Sequence, residues 1–380
     1  MTPTEEQGDP AAHPTAHLLG LNSAQFVAAM RGKIIFDAVG GERGAMKAFR
    51  EIFRSGRTDI PGAEFRPPRV VQTQQSESPE GTVIKFVSRL DGELPGGVAA
   101  EVESVLIPMV GSAGRQKYTL CLSSQVGCAM GCTFCETAQM GLMRSLTAAE
   151  IVGQWWAARH IVGYSVGNAV FMGMGEPMDN FDNVFQAVSV LKDHNGPNIG
   201  VSKITISTVG RVDGILKMAE RIREPGWHRL QLALSLNASN DEVRSSIMPV
   251  NRKWSIADLR DALKKWPRFA GNKLCVEYVL IPGVNDRPEH MDEIAAFMTS
   301  LKNGDKHMGI LNLIPYNPRR NSPWPAPDEA HVAAFLGGLI DRGVFAKRRR
   351  TKGRDMMGAC GQLGAAHIRQ RRFVQPTISA

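Results

Sequence analysis

Six short apolar or β-branched runs alternate with helical patterns through the central part of this 380-residue chain. The runs span residues 118–122, 169–172, 203–207, 230–236, 274–281 and 309–314. Between the first two, Thr147 and Glu150 predict a capping box at the start of a helix. Strand–helix repeats favour parallel strands joined by helical crossovers. We therefore expect an α/β protein with a partial (βα)6 TIM-like barrel over residues 118–342, whose chemistry lies at the carboxyl ends of the strands.

Smaller units are expected on either side of the barrel. Residues 1–17 predict a disordered tail. Residues 18–60 predict a small, mainly helical accessory domain, in which Phe26, Met30, Ile34 and Ala38 follow helical spacing. Residues 61–117 predict a linker, over 61–79, and then a β-hairpin, because prolines and polar residues precede two β-like runs. Residues 343–380 predict a basic strand and a mobile loop that carries Cys360.

The charge of the chain favours a polyanionic partner. The formal net charge is +8, and residues 342–372 hold ten Lys or Arg but a single acid, Asp355. Nucleic acid is the commonest partner of such a surface. A charge run alone is equally typical of a solvated basic face, so both interpretations stay open.

The chain is expected to be cytoplasmic and to have no membrane partner. No apolar run approaches the roughly 20 residues that span a bilayer. The first residues lack the basic start and the apolar stretch of a signal peptide. Six cysteines are too few for a disulfide scaffold in a chain of this length.

Three of the cysteines form a tight ligand motif. Cys128, Cys132 and Cys135 have the spacing C-x3-C-x2-C just after the first strand of the repeat. Thiolates are the ligands of iron–sulfur clusters, and three of them leave one iron of a four-iron cluster open to a small molecule. Zinc is the main rival, but a structural zinc site needs four ligands and no fourth Cys or His is close in sequence. The motif therefore predicts one [4Fe-4S] cluster.

A glycine-rich turn follows the second strand. Residues 173–177 read Gly-Met-Gly-Glu-Pro. Glycines let the backbone approach a ligand closely, and the carboxylate of Glu176 can accept hydrogen bonds from an ammonium group. Alone, this turn is also compatible with an ordinary loop between a strand and a helix.

Taken together, these motifs resemble the RlmN/Cfr family of radical-SAM RNA adenine methyltransferases. The resemblance extends in order over residues 98–365, and Phe134 before the third cysteine is typical of the superfamily. The matching motifs are CLSSQVGC at 121–128, TAQ at 137–139, MGMGEP at 172–177, ISTVG at 206–210, LSL at 234–236, VND at 284–286, IPYNP at 314–318 and ACGQL at 359–363.

The resemblance implies a barrel of the radical-SAM type, a [4Fe-4S] cluster and S-adenosyl-L-methionine (SAM) as the cofactors. The positions that match SAM contacts in the family are Gly175, Glu176, Ser207, Ser235, Leu236, Asn237 and Asn317. Asn237 departs from the family, which usually has His there. Glu136, directly after Cys135, also stands where Ser or Ala is more usual.

The resemblance further implies roles for three remote residues. A first SAM methylates the thiolate of Cys360, and a second SAM supplies the radical that removes hydrogen from that methyl group, so that the carbon can add to adenine. Cys121 then releases the product by forming a transient disulfide with Cys360, and Glu103 is the proton acceptor. Without the resemblance, a lone strand cysteine is usually a buried apolar residue and a lone Glu a solvated charge.

The expected substrate is RNA. The leading interpretation is methylation of adenine C2 in 23S rRNA, and in tRNA as a second substrate, with an electron donor such as a flavodoxin system. Three alternatives stay open: Cfr-like methylation of C8, towards which residues 206–210 lean, a radical-SAM enzyme that does not methylate, and a non-catalytic iron–sulfur RNA-binding sensor. The sensor would need the cluster but not Cys360.

Overall fold

The computed structural model describes residues 18–364, except 32, 34–35, 38, 61–64, 95–96, 111–113, 115, 270–273 and 303–308. The predicted tail at residues 1–17 therefore lies outside the described residues. The strands are β1 (Arg69–Ser78), β2 (Gly81–Leu94), β3 (Val98–Val110), β4 (Gln116–Cys121), β5 (Gln125–Gly127), β6 (Leu142–Ser145), β7 (Val166–Phe171), β8 (Ile204–Thr208), β9 (Gln231–Ser235), β10 (Leu274–Leu280), β11 (Gly309–Pro315) and β12 (Ala346–Arg348). The α-helices are α1 (Ser23–Arg31), α2 (Gly41–Arg54), α3 (Glu136–Met140), α4 (Ala148–His160), α5 (Phe181–Leu191), α6 (Val212–Arg221), α7 (Asp241–Ile247), α8 (Ile256–Lys264), α9 (Pro288–Ser300) and α10 (Glu329–Asp341).

Ten strands form one curved, mixed sheet in the order β1-β2-β3-β4-β7-β8-β9-β10-β11-β12. β1 to β4 pair in antiparallel fashion. β4 pairs in parallel with β7, and the strands from β7 to β12 are parallel to one another. β1 and β12 stand at opposite ends of the sheet, so the barrel is open. All six apolar runs predicted from the sequence are strands of the parallel part. The expected α/β fold with a partial (βα)6 barrel is therefore confirmed.

The helices predicted before the barrel also form. α1 and α2 pack together through Phe26 and Phe49, whose ring centroids are 5.5 Å apart, and Phe53 extends the contact to Trp155 of α4. These aromatic side chains are buried, so burial against the barrel stabilises the pair of helices. Ile34 and Ala38 lie outside the described residues.

The predicted linker over residues 61–79 is wrong for most of its length. Strand β1 occupies Arg69–Ser78 and pairs with β2 from Arg69↔Arg89 to Ser78↔Gly81. The predicted hairpin of β2 and β3 is thus part of a larger antiparallel layer. β1 is an edge strand with mostly exposed and polar side chains, so it lacks the apolar alternation by which a half-buried strand is recognised.

The capping box predicted at Thr147 begins α4. The Thr147 hydroxyl accepts from the Glu150 N–H, and the Glu150 carboxylate accepts from the Thr147 N–H. Across the described residues, no helix has the length and apolar character that a bilayer crossing requires.

Candidate active site

The three-cysteine loop is anchored on both sides. Gly127 precedes Cys128 with φ +78°, and a Cβ at Gly127 would lie 1.8 Å from the Gly141 carbonyl oxygen, so only glycine fits there. The Cys128 N–H donates to that same oxygen at 3.0 Å. Cys135 is the N-cap residue of α3. The loop between β5 and α3 therefore has a defined path, which positions its thiols.

The three thiols are close enough for the charge of one to change the pKa of another. Burial raises the pKa of Cys128, and the charges of Cys132 and Cys135 raise it further. In the part of the chain that the structure describes, no group of three or more Cys, His, Asp or Glu side chains is arranged to hold a single metal ion. A four-iron cluster binds each thiolate at a different iron, so its ligands stand further apart than those of one zinc ion. All three donors are thiols, and Cys128 and Cys132 are buried, which suits the thiolate ligands of an iron–sulfur cluster.

A cavity adjoins this loop at the carboxyl ends of the parallel strands. Its wall includes many of the positions predicted to contact the cluster or SAM: Cys132, Cys135, Gly175, Glu176, Ser207, Ser235, Asn237 and Asn317, together with Cys360. Cys128 and Leu236 do not line the cavity, and the Leu236 side chain is fully buried. The structure thus brings most of the predicted cofactor residues together and leaves Leu236 in the core.

Gly175 and Glu176 shape one wall of this cavity. Gly175 has φ +101°, and a Cβ there would lie 2.6 Å from Cβ of Gln125. The Glu176 carboxylate accepts from the N–H groups of Met178 at 3.0 Å and Val209 at 2.9 Å. Burial raises the pKa of Glu176, and these two hydrogen bonds oppose the rise. The Thr208 hydroxyl also donates to this carboxylate, which has about four lone pairs and therefore keeps one with which it can accept from a ligand.

The unusual Asn237 has a defined structural role. Its φ of +56° lies in the left-handed region, which Asn tolerates better than most residues. The side-chain oxygen accepts from the Val279 N–H at 3.0 Å, and the backbone oxygen accepts from Asn285 at 2.8 Å. Asn237 therefore fixes the end of β9 against β10 while it lines the cavity.

A fully buried arginine joins the loops after β8 and β9. Arg244 donates to the Leu236 carbonyl at 2.9 Å, to the Ser235 carbonyl at 3.3 Å, and to the Val209 carbonyl. Burial lowers its pKa to about 10, and the charge of Cys132 opposes the change. Sequence reasoning missed Arg244, because a charge within a polar segment predicts a solvated position.

A second cavity lies inside the barrel, next to the first. Cys121 of β4 and Cys275 of β10 line it, and Cys360 lines both cavities. Met172, Glu277, Ile314 and Asn317 are also shared by the two walls. The apolar run around Cys275 predicts a core residue; the side chain is instead partly exposed to this cavity. All six cysteines are free thiols, so the structure contains no Cys121–Cys360 disulfide.

Electrostatic interactions connect the thiols of the second cavity to Arg349. Burial raises the pKa of Cys121 to about 12, Cys360 adds to the rise, and Arg349 opposes it. The pKa of Arg349 is itself raised, chiefly by Cys360 and also by Glu277, Cys121 and Cys275. Its guanidinium lies 3.0 Å from the Glu277 carboxylate. The ion pair and the remote cysteines therefore line one cavity.

Glu103 is buried, unlike the solvated charge that a lone Glu usually represents. One carboxylate oxygen lies 3.3 Å from Nζ of Lys85, and the other accepts from the Gly364 N–H at 2.7 Å. Lys85 is the register partner of Val105, and Val105 that of Cys121. Side chains of paired residues leave the same face of a sheet, so Lys85 and Cys121 share a face.

The segment around Cys360 is hydrogen-bonded to the end of the three-cysteine loop and the start of α3. The Glu136 N–H donates to the Gly361 carbonyl at 2.7 Å, and the Thr137 hydroxyl donates to the Leu363 carbonyl at 2.6 Å. The buried Glu136 carboxylate accepts from Arg320, which accounts for the unusual acid after Cys135. Asn317 donates to the Cys360 carbonyl at 3.3 Å. These contacts hold Cys360 beside the first cavity.

Comparisons with known proteins show which proteins this chain resembles. The profile of the Radical SAM superfamily matches residues 122–298. The "Dual-specificity RNA methyltransferase RlmN" of Lawsonia intracellularis is 42% identical over 310 residues, which cover 80% of each chain. The protein with the same description from Syntrophotalea carbinolica is 37% identical over 92% of this chain and 86% of its own. The crystal structure of a radical SAM methyltransferase from Sphaerobacter thermophilus superposes with a TM-score of 0.76 at 33% identity, over 91% of this chain and 98% of that one.

Proposed function

The chain belongs to the RlmN family of radical-SAM RNA methyltransferases, and from that premise we propose that it methylates C2 of an adenine in 23S rRNA, and in tRNA as a second substrate. The observation that carries the proposal is the position of Cys360. This cysteine lines both the cavity beside the cluster loop and the cavity that contains Cys121. A carrier that takes a methyl group from a cofactor and passes it to a nucleobase needs access to both.

The first cavity is the proposed cofactor site. Cys128, Cys132 and Cys135 would bind a [4Fe-4S] cluster, and Gly175, Glu176, Ser207, Ser235, Asn237 and Asn317 would contact SAM. When bound, the cluster would supply the electron that splits SAM into methionine and a 5′-deoxyadenosyl radical, for which an external donor such as a flavodoxin system provides the electron. The remaining lone pair of the Glu176 carboxylate suits the ammonium group of SAM.

The second cavity is the proposed site of the adenine. Cys360, as a methyl carrier, would present its carbon to the base, and Cys121 would break the resulting carbon–sulfur link by forming a disulfide with Cys360. Glu103 would accept the proton that the ring carbon loses. Two observations support that role. The Glu103 carboxylate is buried, and it accepts from the N–H of Gly364, four residues from the carrier.

The phosphates of the RNA would lie on the basic stretch of residues 347–352, beside the second cavity. Lys347, Arg348 and Arg350 line its wall, and 73% of the Arg350 side chain is exposed. Positively charged side chains at the rim of a base pocket contribute affinity by releasing counterions from the RNA.

Nucleoside analysis tests the proposed reaction and its regiochemistry. Anaerobically reconstituted enzyme is incubated with SAM, a reductant and a 23S rRNA fragment, and the digested RNA is examined by mass spectrometry against authentic standards. The proposal predicts 2-methyladenosine with the wild type and none with Cys360→Ala. Formation of 8-methyladenosine would support the Cfr-like alternative, and the absence of any methylated adenine would contradict an RNA methyltransferase.

A further inference from the structure

Arg349 differs from the arginines on either side of it. Arg348 pairs with Glu329 and Arg350 pairs with Glu80, and in each of these pairs at least one side chain is largely exposed. Arg349 instead enters the barrel, where only 25% of its side chain is exposed and the paired Glu277 side chain is 7% exposed. The Arg349 N–H also donates to the Leu313 carbonyl at 2.8 Å, which continues the pairing of β12 with β11. The position of the guanidinium is therefore fixed at both the backbone and the side chain.

Arg349 lines the second cavity, and its partner Glu277 lies where the two cavities meet. Glu277 lines both cavities, and so does Met172, whose sulfur accepts from the guanidinium at 3.4 Å. Cys360 also lines both walls. Burying an ion pair costs desolvation free energy even when the two charges satisfy each other. Packing alone therefore does not explain why this pair lies inside the barrel.

Charged and titratable groups face Cys360 from several elements. Arg349 follows β12, Glu277 belongs to β10, and Cys121 belongs to β4. Burial raises the pKa of the Cys360 thiol, Arg349 opposes the rise, and Glu277 adds to it. Cysteines beside an arginine have a larger fraction of thiolate, which is the nucleophilic form.

We infer that Arg349 is a positioning residue for Cys360: Glu277 holds its guanidinium at the junction of the cavities, where it stabilises the anionic sulfur of the methyl carrier. The inference rests on the proposed function, in which Cys360 takes a methyl group from SAM. In that step the thiol proton leaves to water, a sulfur lone pair forms the new S–CH3 bond, and the sulfonium–methyl bond breaks with its electrons staying on S-adenosylhomocysteine. Arg349 acts before the transfer, by increasing the fraction of thiolate.

Arginine suits this position better than lysine. Its planar guanidinium can donate to Glu277 and to Met172 and still present positive charge to a sulfur, whereas an ammonium is a compact, strongly hydrated charge. Arg349→Lys should therefore keep part of the stabilisation of the Cys360 thiolate that Arg349→Met removes. A residue that only fills space would show no such difference between Lys and Met.

Direct alkylation of Cys360 tests the inference without SAM or RNA. The full chain is produced under iron restriction, so that Cys360 is not methylated, and is reconstituted anaerobically with iron and sulfide. The rate of Cys360 alkylation by iodoacetamide is then measured from pH 6 to 11 by peptide mass spectrometry. Arg89→Met is the matched control, because Arg89 pairs with a mostly buried carboxylate, Glu101, in the antiparallel strands. Iron content and the thermal midpoint report folding.

Arg349→Met should move the midpoint of the profile to higher pH, and alkylation at pH 8 should slow about tenfold whenever the midpoint rises by one pH unit. Arg349→Lys should fall between Met and wild type. Glu277→Gln should move the midpoint to lower pH, because the amide oxygen can still accept from Arg349 while the negative charge near the sulfur is gone. Arg89→Met should change nothing. A wild-type profile in Arg349→Met, or midpoints that move in the same direction in Arg349→Met and Glu277→Gln, would overturn the inference. Methylated adenine from the wild type would then leave the proposed function standing.

Discussion

The carboxylate of Glu103 accepts a hydrogen bond from the backbone N–H of Gly364 at 2.7 Å, and Gly364 lies only four residues after Cys360. The same carboxylate lies 3.3 Å from the ammonium group of Lys85. The proposed proton acceptor is therefore also a fastening point for the segment that carries the methyl group. Each of its oxygens has one partner in this conformation and keeps a second lone pair that can accept a proton.

Removing the Lys85–Glu103 pair should loosen the end of the Cys360 segment. In Lys85→Met/Glu103→Ala both charges are absent, so neither is left buried and unpaired. Loss of the hydrogen bond to Gly364 should speed amide exchange in residues 357–364 about five- to tenfold, as expected for roughly 1 kcal/mol. The control is Arg89→Met/Glu101→Ala, which removes another ion pair between β2 and β3. Equal exchange in both double variants would show that Glu103 does not fasten the segment.

Removing the three clustered thiols should abolish the iron–sulfur site. Cys128→Ala/Cys132→Ala/Cys135→Ala is expected to lose the visible chromophore and all but background iron and sulfide after anaerobic reconstitution. Cys275→Ala is the control, because this cysteine lines the second cavity and its loss should leave about four irons per chain. A triple variant that retains a full cluster would contradict the assignment of the ligands.

Adding a methyl group at Gly175 should damage the SAM cavity. The new Cβ would stand 2.6 Å from Cβ of Gln125, at a φ of +101° that other residues rarely adopt. Strain of about 1–3 kcal/mol is expected, and it falls on the turn that presents Glu176. Equilibrium binding of SAM to the reconstituted protein should weaken roughly fivefold or more in Gly175→Ala. Gly200→Ala is the matched control, because a Cβ at Gly200 meets no atom within 4 Å; unchanged affinity in Gly175→Ala would refute the prediction.

Two arginines of the basic stretch should contribute to RNA affinity. Arg348→Gln/Arg350→Gln should weaken RNA binding and reduce the slope of log K against log salt, by about 0.7 to 0.9 for each phosphate that is no longer neutralised. Arg349 is left intact, because its side chain enters the barrel. Filter binding at several salt concentrations measures the slope, and Arg221→Gln/Arg260→Gln removes the same charge elsewhere. Identical slopes in the two double variants would identify the stretch as a solvated face that does not bind RNA.

The strands of the parallel part were predictable because parallel strands are buried on both faces and therefore read as short apolar runs. Strand β1 was missed for the opposite reason: it is an edge strand whose stability comes from its register with β2. The site was predictable where local spacing carries the chemistry, as in the three-cysteine loop. The domain boundaries and the roles of Cys121 and Glu103 stay predictions.

The sequence did not predict the positions of residues whose environment depends on which face of a strand they occupy. Cys275 lies within an apolar run, and only the register of β10 shows that it lines the second cavity with Cys121. Arg349 lies within a run of four basic residues, and local sequence does not show that its side chain pairs with a carboxylate inside the barrel. Conversely, motif matching assigned Leu236 to SAM, although its side chain is fully buried.

The central claim is that Cys360 carries the methyl group and Cys121 releases the product, and covalent trapping of RNA tests it most directly. Cys360→Ala and Cys121→Ala are purified from cells that contain the RNA substrate and are run on denaturing gels with and without nuclease. Cys121→Ala should accumulate RNA bound to Cys360, seen as a nuclease-sensitive band of raised mass, because the thiol that breaks the carbon–sulfur link is missing. Cys360→Ala should show no adduct, since it has no carrier. An adduct on Cys360→Ala, or normal turnover without an adduct by Cys121→Ala, would contradict the account.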